Sequence, residues 1–126
     1  MSIFLEKFVS DVKSNIPGLI AVSVTEISTG MCYVSHTEKK DFDPELASSF
    51  NLEVVKAKKN AIEALQLDTR IQDILITLSD QIHIIDLPEN ADYFIYLAVD
   101  STKANLGMTR ALLKKYKKDI IAELQS

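Results

Sequence analysis

The sequence predicts an α+β fold, in which a five-stranded antiparallel sheet carries a long central helix on one face and the terminal helices on the other. The periodic segments run in the order helix, two strands, helix, three strands, helix, without the strand–helix–strand repeat of a parallel fold. Short connections make consecutive strands antiparallel neighbours. The last strand, residues 92–100, is apolar on both faces, so we expect helices on both sides of the sheet.

The individual elements follow from local patterns. Apolar residues at helical spacing mark the helices, and β-branched, alternating segments mark the strands. Pro17 and Gly18 end the first helix, and Pro44 stands in the first turn of the second. The predicted elements are a helix at 2–15 with Ser2 as its N-cap, strands at 19–27 and 31–35, a charged loop at 36–43, a helix from 44 to about 66, strands at 70–79, 81–88 and 92–100, and a helix at about 103–125.

Composition excludes several classes of protein. The chain has 126 residues, 47% hydrophobic and 25% charged, which predicts a single domain over residues 1–126. Its net charge of -4 argues against nucleic-acid binding. Cys32 is the only cysteine and cannot form an internal disulfide, which favours a reducing compartment. Because the sequence shows neither a signal-peptide pattern nor a membrane-spanning run, we expect a cytoplasmic protein without membrane insertion.

The long central helix is apolar on two sides. One set of residues steps by four, four, three, four and four positions, a spacing typical of a stripe that faces the core. That set consists of Leu46, Phe50, Val54, Ala57, Ala61 and Leu65. Leu52, Val55 and Ile62 fall on the far side of the helix. They are either scattered surface aliphatics, which are common, or the face that a second chain covers. On the second interpretation, aspartate at Val55 or Ile62 is expected to leave a folded monomer.

A glycine stands where the last helix begins. Glycine within a helix costs about 1 kcal/mol relative to alanine, yet Gly107 follows the end of the last strand by only a few residues. We expect that its missing Cβ lets the helix backbone approach a strand or the first helix. Valine at Gly107 should then destabilise the fold more than helix propensity predicts.

The chain resembles the Roadblock family of dynein light chains and bacterial polarity proteins. The resemblance spans nearly all of it and is carried by NIPGLIAVSV at 15–24 and DSTKANLGMTR at 100–110. Within the second segment, Asn105, Gly107 and Arg110 match the spacing typical of the family. The first hairpin differs, because Ser28-Thr29-Gly30 stands where the family usually has Asp-Gly.

The resemblance implies a non-enzymatic module without a cofactor, a regulator or scaffold for a small Ras-like GTPase or another protein partner. It implies a homodimer, or a heterodimer with a paralogous subunit, in which the long helices pack together and the following strand pairs across the two-fold axis. The predicted interface residues are Leu52, Val55, Lys56, Lys59, Ile62, Glu63, Ile71 and Asp73. The predicted structural residues are Asn105, Gly107 and Arg110.

Two other function classes remain as alternatives. A small-molecule sensor domain of α+β type would use Tyr33, Tyr93 and Tyr96 to line a pocket. An enzyme would need a converging acid, base, nucleophile or metal, and no such set stands out. His36 and His83 are distant in sequence, and with Cys32 they do not supply the four closely spaced ligands of structural zinc.

A basic cluster, KKYKK at 114–118, lies in the last helix. Lysines near a helix C-terminus are favoured by the helix dipole and keep that face solvated. The alternative is a patch for an acidic partner or an anionic membrane. Asp119 and Glu123 dilute the cluster and favour the first interpretation.

Overall fold

The computed structural model describes residues 3–125 and confirms the α+β fold. Its strands form one antiparallel sheet in the order β2-β1-β5-β4-β3. The elements in chain order are α1 (Ile3–Asn15), β1 (Leu19–Glu26), β2 (Cys32–Thr37), α2 (Pro44–Ala64), β3 (Asp73–Thr77), β4 (Gln81–Asp86), β5 (Tyr93–Asp100) and α3 (Leu106–Gln125).

Several predicted boundaries are wrong, and one prediction lies outside the described residues. Strands β3 and β4 are shorter than the predicted 70–79 and 81–88, since they span Asp73–Thr77 and Gln81–Asp86. Strand β2 continues to Thr37, because its pairing with β1 extends to the Ala21–Thr37 pair. Helix α3 begins at Leu106, because the residues before it form a turn on Asp100, whose carboxylate accepts hydrogen bonds from the backbone and side chain of Thr102 at 2.9 and 2.7 Å. Ser2, the predicted N-cap of α1, lies outside the residues that the structure describes.

Helices α1 and α3 cover one face of the sheet together. Their apolar residues form one core with the inward residues of β1 and β5, such as Val22 and Leu97. The two helices also contact each other, since the rings of Phe8 and Tyr116 meet edge to face at 5.3 Å between centroids. This arrangement places the terminal helices on one side, as predicted.

Helix α2 lies on the opposite face, against β1 and β2. The core on this side includes Ile20, Phe94 and Tyr96 of the sheet. Strand β5 at the centre is therefore buried on both faces, and from Tyr93 to Val99 every residue is buried. Because α2 lies towards the β2 edge of the sheet, strand β3 at the other edge has less cover.

Candidate protein interface

Helix α2 has well-defined ends. Asp43 is its N-cap: the carboxylate accepts hydrogen bonds from the backbone N–H groups of Glu45 and Leu46, each at 3.1 Å. At the other end the N–H of Gln66 donates to Glu63 O, and that of Leu67 donates to Ile62 O. This pair of bonds is the Schellman motif, which stops the helix and turns the chain towards β3.

The two faces of α2 are the reverse of the prediction. Leu52 and Val55, predicted to face outward, are 8% and 0% exposed and pack against the sheet beside Phe94 and Tyr96. Their assignment to an exposed interface in the isolated chain is therefore wrong. Aspartate at Val55 would bury a charge without a partner, so the predicted folded monomer is not expected from that substitution.

A polar contact lies on the side of α2 that faces inward. Ser48 is buried on α2, and its hydroxyl hydrogen-bonds to that of Ser23 on β1, a strand that is distant in sequence. Asn51 is also buried, and its side-chain nitrogen has no hydrogen-bond partner within residues 3–125. A count of apolar positions misses this side, because it reads Ser48 and Asn51 as surface residues.

The predicted core stripe forms the outer face of α2 instead. Leu46, Phe50 and Leu65 are 56%, 69% and 67% exposed. Between them Ala57 is exposed, and Val54 and Ala61 are half-buried. We call these six residues the outer stripe. Contiguous exposed apolar surface of this kind marks interaction sites in soluble proteins, and it is the surface that sequence reasoning placed in the core.

The outer stripe has a symmetric arrangement along α2. Its members form three pairs, and the two members of each pair are equally far in sequence from the point between Val55 and Lys56. This follows because the steps of four, four, three, four and four are the same in both directions. Large side chains occupy the N-terminal half and mostly small ones the C-terminal half. The pairs are Leu46 with Leu65, Phe50 with Ala61, and Val54 with Ala57.

The other predicted interface residues on α2 are divided between two surfaces. Lys56 and Glu63 are exposed. A cavity of about 560 Å³ lies between the C-terminal half of α2, the connection from α2 to β3 and the connection from β4 to β5. It is lined by Lys59, Ile62 and Glu63. Ile71, which also lines it, packs beneath α2 with the sheet residues. Lys59, Ile62, Glu63 and Ile71 therefore lie beside this cavity, Lys56 lies outside it, and none of the five belongs to the outer stripe.

Strand β3 forms an open edge of the sheet within residues 3–125. It pairs with β4 from Asp73 to Thr77, and its other edge has no strand partner in the described chain. Ile74 and Ile76 point to the α2 side and are only half-buried. An open edge with apolar residues can pair with another strand.

The residues of the 100–110 segment have structural roles that the structure shows directly. Asn105 caps α3: its side-chain oxygen accepts from the backbone N–H of Met108 at 3.0 Å. Arg110 forms a two-point ion pair with Asp73 of β3, at 3.1 and 3.3 Å. Asp73 was predicted to face a second chain, and in the described chain its carboxylate binds α3.

The predicted close approach at Gly107 is wrong. A Cβ built there would have one neighbour within 4 Å, the Asn105 side-chain oxygen at 3.8 Å, an ordinary van der Waals distance. Gly107 is exposed in the first turn of α3. The close approach occurs at Gly18, where a Cβ would lie 2.9 Å from the Lys103 Cβ and φ is +72°.

The residues of the alternative hypotheses do not converge. Tyr33 and Tyr93 line a cavity of about 230 Å³ near the end of α3, but Tyr96 lies on the α2 side of the sheet. Burial raises the pKa of Tyr33 to about 12, and its hydroxyl hydrogen-bonds to Glu26. Among residues 3–125, no three His, Cys, Asp or Glu side chains come together as a possible metal site.

Two further sequence features have a place in the structure. The KKYKK cluster lies on α3, where Lys117 pairs with Asp86 of β4 at 3.3 Å and Tyr116 is buried against α1. Across the described part of the chain, every helix is too short or too polar to cross a membrane.

A five-stranded sheet between one long helix and two terminal helices defines the fold of Roadblock/LC7 domains. The Roadblock/LC7 domain from Streptomyces avermitilis matches this structure with a TM-score of 0.79 at 8% identity, over 93% of this chain and 94% of that one. MglB from Myxococcus xanthus matches with a TM-score of 0.75 at 12% identity, over 94% and 89%. MglC from Myxococcus xanthus matches with a TM-score of 0.62 at 21% identity, over 96% and 99%.

The sequence is between 8% and 21% identical to those of these three structures. No protein-family model and no curated protein matches it. The identities to the solved structures show a shared fold, and a fold hosts many functions.

Proposed function

We propose that the chain is a non-enzymatic interaction module that dimerises and acts as a regulator or scaffold for a small Ras-like GTPase or another protein partner. The outer stripe of α2 carries the proposal, because it exposes the large apolar side chains of Leu46, Phe50 and Leu65 along one side of the helix. One solved structure of the same fold is MglB in a tetrameric arrangement, which supports self-association.

The symmetry of the outer stripe favours an antiparallel pair of α2 helices. In an isologous two-fold interface, a residue that contacts a second residue of the partner is itself contacted by that residue. With the axis between Val55 and Lys56, Phe50 lies opposite Ala61 of the partner and Val54 lies opposite Ala57. A large side chain then faces a small one, whereas a parallel pair would place the two Phe50 rings together and leave space at the alanines.

The open edge of β3 is a second surface for self-association, separate from the outer stripe because α2 lies towards the other edge of the sheet. Pairing of two β3 strands across a two-fold axis would satisfy their free backbone groups and extend the sheet. The partner of the chain in this assembly is a second copy or a paralogous subunit.

The Ras-like GTPase enters through the Roadblock resemblance, since bacterial members of that family regulate such an enzyme. The role proposed here is regulatory, and no side chain of this chain is assigned a catalytic step. Cys32, which cannot form an internal disulfide, agrees with a cytoplasmic location.

Light scattering tests the dimer directly. We expect the wild type to be a dimer at tens of micromolar concentration and Phe50→Asp to be a folded monomer, because the substitution charges the outer stripe and leaves the core intact. Asn60→Asp, on the same helix and exposed but outside the stripe, is the matched control and should remain dimeric. A monomeric wild type, or a Phe50→Asp variant that stays dimeric, would contradict the proposal.

Cysteine cross-linking tests the direction of the helices. In a Cys32→Ser background, Phe50→Cys and Ala61→Cys chains are mixed and oxidised. The antiparallel pair predicts a disulfide between the two different chains and little cross-linking of either variant alone, since a disulfide requires Cα atoms within roughly 7 Å. Efficient cross-linking of Phe50→Cys to itself would instead indicate a parallel pair.

The regulatory role is tested with purified Ras-like GTPases from the source organism. We expect the wild-type chain to change the rate of GTP hydrolysis or nucleotide exchange by one of them, and Phe50→Asp to lose that effect. If none of the GTPases is affected, the GTPase role is wrong, and the proposal is limited to a dimeric module that binds another protein partner.

A further inference from the structure

A polar cavity of about 370 Å³ lies between α3 and the adjoining ends of β3 and β4. Asp73 and Asp86 are directly opposite each other on the two strands. Helix α3 presents Arg110, Lys114 and Lys117 at spacings of four and three, which places the three cations on one side of the helix. The cavity is on the face of the sheet opposite α2.

The cavity is lined by three cationic side chains and two carboxylates, so one cation is not paired. Arg110 binds Asp73 through two nitrogens, and Lys117 lies 3.3 Å from Asp86. Within residues 3–125, the side-chain ammonium of Lys114 has neither an ion pair nor a hydrogen bond. Arg110 and Lys117 also keep donors that these contacts do not use, since a guanidinium has five N–H groups and an ammonium has three. The cavity therefore has unused donors and one excess positive charge.

The same cavity contains a buried acceptor with unused capacity. Asp86 is 4% exposed, and its Oδ1 atom lies 3.3 Å from the Lys117 ammonium, in an ion pair that is not aligned as a hydrogen bond. Burial raises the pKa of the Asp86 carboxyl, while the charge of Lys117 opposes the rise. A carboxylate oxygen has two lone pairs, so Oδ1 can accept a hydrogen bond from a ligand O–H while it keeps the ion pair with Lys117.

We propose that this cavity binds a protonated phosphate group, with inorganic phosphate as its simplest form. The phosphate oxygens accept hydrogen bonds from Lys114 and from the free donors of Arg110 and Lys117, and the phosphate O–H donates to Asp86 Oδ1. At neutral pH inorganic phosphate keeps at least one proton, whereas sulfate has the same tetrahedral shape and no proton. The site should therefore distinguish the two anions.

Calorimetric titration tests the site on the full chain, at constant ionic strength because exposed charges are screened by salt. We expect saturable binding of phosphate and at least about tenfold weaker binding of sulfate, the difference that one charge-assisted hydrogen bond provides. Glycerol 3-phosphate, which is largely doubly ionised at neutral pH, distinguishes a phosphate ester from free phosphate. Equal binding of phosphate and sulfate, or no binding of phosphate, would overturn the proposal.

Substitutions assign the binding to this cavity. Lys114→Gln should weaken phosphate binding about tenfold, and Lys115→Gln, an exposed neighbour on α3 outside the cavity, should not change it. Asp86→Asn, which replaces the acceptor by an amide, should reduce the preference for phosphate over sulfate. Unchanged binding in Lys114→Gln would place the phosphate elsewhere and overturn the proposal. Because Phe50 is on the other face, Phe50→Asp should keep phosphate binding, so this test is independent of the dimer.

Discussion

The guanidinium of Arg110 joins α3 to the edge strand β3 through both carboxylate oxygens of Asp73: Nε lies 3.1 Å from Oδ2, and a terminal nitrogen lies 3.3 Å from Oδ1. The two residues are 37 positions apart in the chain. The pair ties the last helix to the strand at the open edge of the sheet, and it also forms one wall of the cavity beside Lys114.

Removal of this ion pair should reduce stability by a modest amount. The two side chains are 45% and 24% exposed, and partly exposed pairs contribute about 0.5–1 kcal/mol when the geometry is bidentate. A double-mutant cycle with Arg110→Ala and Asp73→Ala, measured by urea unfolding, isolates that coupling energy. Additive effects of the two substitutions would show that the pair contributes nothing to stability.

Alanine at Gly107 and alanine at Gly18 should change the stability of the protein in opposite directions. Gly107→Ala should stabilise the protein by up to about 1 kcal/mol, since alanine is the better helix former and nothing obstructs its Cβ. Gly18→Ala should destabilise it, because φ is +72° and the new Cβ would lie 2.9 Å from the Lys103 Cβ. Thermal unfolding of both variants checks the pair. A destabilised Gly107→Ala would restore the close-approach explanation.

A glycine should be preferred over glutamine at the end of α2. Gln66 has a φ of +54° at the position of the Schellman motif that glycine usually occupies. Gln66→Gly should stabilise the protein by about 0.5 kcal/mol, after the larger entropy of the unfolded chain is subtracted from the relief of left-handed strain. Gln66→Ala is the control, because it shortens the side chain and keeps the strain. The prediction fails if the glycine variant is less stable than the alanine variant in chemical denaturation.

Stability should fall on mild acidification because of His83. Its Nδ1 is 3.2 Å from the Tyr96 hydroxyl, and its Nε2 is 2.8 Å from Gln81 Oε1. A neutral ring with the proton on Nε2 satisfies both contacts. Burial lowers the pKa of His83, although Asp80 partly opposes this.

The sign of the pH effect follows from that lowered pKa. Between the folded pKa and the ordinary value of 6.5, the unfolded chain binds more protons, so stability is full above the ordinary value and declines as the pH falls below it. Urea denaturation at about pH 7.5, 6.5 and 5.5 should show this decline. His83→Gln should show a smaller one, and an equal decline in both proteins would assign it to other groups.

The order of the elements and the amphipathic pattern of α2 could be read from the sequence because both depend on local periodicity. The helix–strand order predicted the sheet and the sides of its helices. The spacing from Leu46 to Leu65 places these apolar residues on one side of α2, but that side is exposed and does not face the core as predicted. Asp43 and Pro44 correctly marked the start of α2, since capping involves only the neighbouring backbone.

The direction in which α2 faces was decided only in the folded chain. The outer stripe is more apolar than the side that is buried, so apolar content alone predicts the wrong orientation. The buried side carries the polar residues Ser48 and Asn51, and the Ser48 hydroxyl is satisfied there because Ser23 lies opposite it on β1. Such contacts join residues far apart in the chain, and periodicity within one helix contains no information about them.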